Sequence, residues 1–219
     1  MQSSCNGFDH TVLLDALAQD PARLRGIGLI GPQTTPVEIK RLHEAGVRGY
    51  RLNFVPHLRQ RASSREIEEC QRLVAEWNWH VEIHTQGTGV LDCEDLIRSF
   101  RSRVVIDHLG RVDLSEGLDG PSVHVLLNLL DAGNVWVKVS GVDRLSAQGP
   151  PYSDSVALAR LLVEHRPDRV LWGTDFPHPN ITGDAPDDGL LVDLLAQIAP
   201  TGELMQLLLV SNPAEFFDF

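Results

Sequence analysis

Residues 170–180 read VLWGTDFPHPN. An apolar run stops at a glycine, delivers the carboxylate of Asp175, and continues into His178 held between Pro177 and Pro179. Three other apolar runs end in the same manner: VVIDHLG presents His108, VEIHT presents His84, and VWVKVSG presents Lys138 and Ser140. Carboxylate, imidazole, ammonium and hydroxyl are groups that transfer protons, bind metals or donate hydrogen bonds to a developing charge. Each alone has an ordinary explanation. A histidine at a strand end is usually a hydrogen-bonded boundary residue, and an aspartate beyond a strand is commonly a helix N-cap. Four successive runs ending in such groups point instead to one shared site.

The elements that position these groups are legible in the same sequence. Short β-branched runs at 25–30, 47–54, 80–85, 103–110, 135–141 and 169–175 read as buried strands, each followed by a helical pattern. Thr35-Pro36-Val37-Glu38 and Ser63 with Glu66 carry capping-box spacing, and Gly46 and Gly133 read as helix stops. Leu13, Leu14 and Leu17, and later Ile67, Leu73 and Val74, recur at helical spacing and should pack on a sheet. This alternation implies a parallel α/β sheet, either open or closed into a barrel, with chemistry at the C-terminal strand ends. No linker divides the chain, and AQGPPY (147–152) is long enough only for a loop, so residues 1–219 are expected to form a single domain.

Composition narrows the partners. The 219 residues are 42% hydrophobic, enough for a sizeable core. Nineteen basic against 30 acidic residues give a formal charge of −11, which speaks against nucleic acid or an anionic membrane as partner. Three dispersed cysteines, Cys5, Cys70 and Cys93, with no CxxC pair, suit neither a disulfide framework nor a structural zinc site and suggest a reducing compartment. No apolar run nears the roughly 18 residues of a membrane span, and no basic-then-apolar leader opens the chain. A cytoplasmic protein is the expectation.

Taken together, RVLWGTDFPHPN, VVIDHLGR, VWVKVSGVDRLS and PDDGLLVDLLAQIAPTGEL resemble the amidohydrolase superfamily, in its amidohydrolase-2 branch, and within that the 2-pyrone-4,6-dicarboxylate lactonases. The resemblance runs from Ser4 to about Phe216. It implies a (β/α)8 TIM-barrel-like fold and hydrolysis of a carboxylated lactone, a small-molecule step in the breakdown of aromatic compounds. Family members open with a strand bearing an HxH pair, ahead of the segment that QSSCNGFDH (2–10) resembles. That strand has no counterpart here, so the expected barrel is incomplete, with seven strands if residues 1–5 supply the tip of one. Exposed strand edges in such a barrel lead us to expect a homo-oligomer.

Ester hydrolysis needs a base for water, donors for the oxyanion and anchors for substrate carboxylates. By resemblance Asp175 is the base and His108 the group that polarises the carbonyl. Arg51 and Arg144 match carboxylate clamps, and Ser4 matches a substrate contact. His57 stands where the family has a second basic residue, which favours a somewhat different acid. His84 stands where the metal-free lactonases carry tyrosine and metal-dependent relatives carry histidine. His84 with Asp175 would be half of a zinc site, and catalytic zinc usually takes three protein ligands. No cofactor is therefore required, with a weakly held divalent metal as the other option. Two further functions stay open: a metal-dependent non-oxidative decarboxylase of the same branch, and a degenerate barrel that only binds a ligand.

Overall fold

The computed structural model describes residues 1–55, 62–181 and 183–219. Among the described residues six strands form one sheet: β1 (Gly26–Gly28), β2 (Val47–Asn53), β3 (His80–His84), β4 (Val104–Ile106), β5 (Val135–Val139) and β6 (Val170–Trp172). Neighbours in sequence are neighbours in the sheet, and every pairing is parallel. The sheet curls as an incomplete (β/α) barrel, with β1 and β6 at its two edges. Residues 1–5 add no seventh strand. They end in a short turn over Ser4–Asn6, and the Gln2 N–H donates to the Ile27 carbonyl at 2.8 Å.

Why the strands read as near-continuous apolar runs is plain from their packing. Tyr50, Leu52, Val81, Ile83, Val104, Ile106, Val135, Val137 and Val139 belong to the outer core beneath the helices. Alternating with them, Val105, Trp136 and Leu171 meet Phe216 inside the curl. Both faces are thus covered, as a parallel sheet requires, and each fully buried Val or Ile contributes about 1.5–3 kcal/mol. Phe216 comes from the C-terminal helix Asn212–Phe217 and plugs the N-terminal end of the barrel, its ring 4.7 Å from that of His80. Gly49 on β2 makes room for that histidine, because a Cβ there would lie 2.6 Å from the ring.

The helix starts follow the sequence signals. Thr35 accepts from the Glu38 N–H to open Pro36–Glu44, and Ser63 with Glu66 forms a complete capping box for Ser64–Val74. Gly46, at φ +102°, ends the first of these in a conformation that suits glycine.

The strand ends differ from expectation. The run 103–110 pairs only over Val104–Ile106, and 169–175 only over Val170–Trp172. Beyond them His108, Leu109, Gly110 and Arg111 all take positive φ (+50°, +55°, +67° and +46°), as does Asp175 (+69°). Left-handed backbone cannot continue a ladder, and for residues other than glycine it costs roughly 1–2 kcal/mol each. His108 and Asp175 therefore ride on tight turns just beyond their strands, whereas His84 is the last residue of β3.

Candidate active site

The mouth rests on a buried layer of charge. Arg51 of β2, Glu82 of β3, Asp107 just beyond β4 and Lys138 of β5 point inward at one level. Lys138 Nζ donates to Glu82 Oε1 at 2.7 Å and Asp107 Oδ1 at 2.9 Å. Arg51 Nη2 lies 2.6 Å from Asp107 Oδ2 and 3.6 Å from Glu82 Oε2. Neither carboxylate side chain is exposed to solvent at all. Burial would push the Asp107 carboxyl up, but Arg51 and Lys138 outweigh it and hold the group well below the usual carboxylate range. For Glu82, burial and the Asp107 charge push upward, while Lys138, His80 and Arg51 bring the balance below its ordinary value. Two cations and two anions close the layer at zero net charge, the condition under which buried ions are tolerated.

Above this layer sits a cavity of about 460 Å³ lined by His84, His108, Arg111, Arg144 and Asp175, with Arg51 at its floor. Asp175 Oδ2 accepts a close hydrogen bond from Arg144 Nε, and Oδ1 lies 3.5 Å from His108 Nε2. His108 Nδ1 pairs with Ser140 Oγ at 2.8 Å. If Ser140 donates, Nδ1 accepts and Nε2 carries the proton toward the cavity. Burial lowers the His108 pKa, more than Asp107 and Asp175 raise it, which favours neutral imidazole. The His84 and His108 rings are 5.5 Å apart at their centroids, so Asp175, His108 and His84 share one site. His84 Nδ1 faces Asn53 Oδ1 at 3.2 Å; the amide oxygen can only accept, so Nδ1 donates and Nε2 keeps its lone pair. Burial, and after it Arg51, drives the His84 pKa down to about 3.

The left-handed turn that carries His108 is latched from the neighbouring strand. The buried Thr85 hydroxyl donates to the Gly110 carbonyl at 2.9 Å, and the Gly87 N–H donates to the Arg111 carbonyl at 2.8 Å. This latch brings Arg111 into the cavity. Its guanidinium has no carboxylate within 4 Å among the described residues. Burial, and then the charge of Arg144, lower its pKa. Arg144 Nη2 and Arg51 Nε are buried without a hydrogen-bond partner. Unpaired buried donors cost about 1–3 kcal/mol each. Two guanidinium groups against the single carboxylate of Asp175 leave a positive excess, so an anion is what the cavity suits.

Of the residues chosen from sequence, Asp175, His108, His84, Arg144 and Arg51 converge here. Ser4 does not. It lies on the exposed rim of an adjoining cavity of about 740 Å³, which also reaches Arg51. His57 lies outside the described residues. Sequence reasoning passed over Glu82, Asp107 and Arg111. A usable signal was present for Glu82, two residues before His84 and hence on the same face of its strand. Nothing local marks Arg111, which depends on the positive-φ turn.

The residues do not fit a tightly held metal. Among the described residues no three His, Cys, Asp or Glu side chains are grouped to hold an ion. Asp175 is engaged by Arg144 and faces His108, leaving the His84 Nε2 lone pair as a solitary ligand. Nor is any helix among the described residues long and apolar enough to cross a membrane.

Residues 1–219 match the amidohydrolase family model. The chain is 40% identical to a 2-pyrone-4,6-dicarboxylate hydrolase of Comamonas testosteroni, over 99% of this chain and 74% of that protein. It is 34% identical to a 4-sulfomuconolactone hydrolase of Hydrogenophaga intermedia, over 97% and 71%. Among solved structures, one from Acinetobacter baumannii with citric acid bound superposes with a TM-score of 0.84 at 30% identity, over 100% of this chain and 82% of the other.

Proposed function

The chain belongs to the amidohydrolase family, and we propose that it is a hydrolase that opens a carboxylated lactone with water activated by Asp175. What carries the proposal is the meeting of Asp175, His108, Arg111 and Arg144 in one 460 Å³ cavity at the barrel mouth.

The steps follow from these groups. Arg111, beside Arg144, receives a carboxylate of the substrate and sets the ring carbonyl over His108. Asp175, pinned by Arg144 Nε, takes a proton from a water as the water oxygen attacks the carbonyl carbon. His108 Nε2–H donates to the oxyanion of the tetrahedral intermediate. Collapse breaks the ring C–O bond, Asp175 returns its proton to the departing oxygen, and the product is the open-chain acid. His84 Nε2 is placed to accept a hydrogen bond from substrate. No step calls on a metal. The similarity to two lactone-opening hydrolases favours the lactonase over a metal-dependent decarboxylation.

A carboxylate and a sulfonate present similar oxygens to guanidinium, and the two hydrolase relatives named above act on one of each. Ser4 and His57 enter the reading as contacts to the rest of the substrate. The test is hydrolysis of 2-pyrone-4,6-dicarboxylate and of 4-sulfomuconolactone by the purified chain. Ring opening of either supports the reading; inertness toward both, at enzyme concentrations near that of substrate, speaks against it.

A further inference from the structure

His178, the histidine between two prolines, is left over by the mechanism above. Its side chain is 2% exposed, and it links three segments. Its backbone N–H donates to the Asp175 carbonyl at 2.8 Å, closing the turn that carries the base. Ring Nδ1 lies 3.9 Å from Asp143 Oδ2, and Nε2 lies 3.2 Å from Asp188 Oδ1 at the start of the helix Asp188–Asp193. Asp143 is the neighbour of Arg144 in the short helix Val142–Leu145. Its carboxylate is 4% exposed, and neither its oxygens nor His178 Nδ1 has a hydrogen-bond partner, so the two buried groups face each other across 3.9 Å as an electrostatic pair. The circuit is closed: Asp175 to His178 through the backbone, His178 to Asp143 through space, Asp143 to Arg144 along the helix, and Arg144 back to Asp175. Both Asp175 and His178 hold positive φ (+69° and +55°), so the turn needs external support to keep its shape.

Resting on the reading of Asp175 as base, the geometry points to His178 as a positioning residue that, through Asp143, locks the Asp175 turn to the Arg144 helix and so fixes the carboxylate over the barrel mouth. His178 touches neither water nor substrate in this role. An ordinary buried histidine would stabilise the fold without governing the Arg144–Asp175 pair, and that difference is measurable.

His178→Ala and His178→Asn separate the two. The asparagine amide can place a donor near the position of Nδ1, facing Asp143, whereas alanine cannot. In a folded His178→Ala variant, kcat toward the lactone falls about 10–100-fold with KM within about twofold, the size expected when a catalytic group is displaced by about 1 Å. His178→Asn recovers most of kcat. Independently of turnover, the Arg144 Nε–H resonance, identified by its loss in Arg144→Lys, exchanges with water at least about tenfold faster in His178→Ala than in the unaltered chain. If the chain opens no lactone, the assigned function fails while this exchange measurement still decides the positioning role. If His178→Ala does not fold, Asp143→Asn serves in its place, and the same acceleration is expected. Unchanged Arg144 exchange, or unchanged kcat, in a folded His178→Ala or Asp143→Asn variant would overturn the inference.

Discussion

His84 shows how far a single side chain is set by what surrounds it. Burial first, and the charge of Arg51 after it, keep its imidazole neutral down to about pH 3. An unfolded histidine titrates near 6.5. Between those values the unfolded chain binds more protons than the folded one, so the stabilising difference is intact above pH 6.5 and is lost as pH falls toward 3, by up to about 1.4 kcal/mol per pH unit for one group. His84→Gln removes that titration. Its melting temperature should decline less steeply than that of the unaltered chain between pH 6.5 and 4; equal slopes would mean that His84 protonates freely in the folded protein. That His84, His108 and Asp175 come together was legible because each follows an apolar run. Arg111 was not, because a left-handed turn, invisible in residue type, brings it to the cavity.

At the level of strands, starts were easier to read than ends. β-branched runs announce where a buried strand begins, whereas the ladder stops where backbone torsion changes sign, and DHLGR carries one glycine to signal four left-handed residues. Lys138 on β5 was visible as an interruption of an apolar run, yet its partners Glu82 and Asp107 come from β3 and the end of β4, and only parallel register brings them to one level. The layer they form with Arg51 predicts a cost. Lys138→Met leaves two buried carboxylates with one cation, a loss of about 3–5 kcal/mol. For a chain of this size that is a fall in melting temperature of roughly 6–20 °C. Adding Glu82→Gln, which restores charge balance, should return part of it. A Lys138→Met melting temperature within about 2 °C of the unaltered chain would show the layer to be dispensable.

Over the whole molecule, a chain of net charge −11 sets Arg111 and Arg144 against the single carboxylate of Asp175 in the cavity at its barrel mouth, a local excess that would draw an anion inward against the net charge of the rest. The curled sheet keeps two edges. Gln2 covers the Ile27 carbonyl of β1, and Asn212 Nδ2 donates to the Val170 carbonyl of β6 at 2.8 Å, but neither edge pairs with another strand among the described residues. Such edges support self-association, and sedimentation velocity should show a species larger than a monomer as concentration rises; a lone monomer at high concentration would contradict it. The barrel mouth itself is tested most directly by Asp175→Asn, assayed on 2-pyrone-4,6-dicarboxylate beside the unaltered chain. The amide keeps the size and an accepting oxygen, yet cannot take a proton from water. Turnover should fall by about 10²–10⁴ while the melting temperature stays within a few degrees. Full turnover in a folded Asp175→Asn variant would contradict Asp175 as the base and the hydrolytic mechanism built on it.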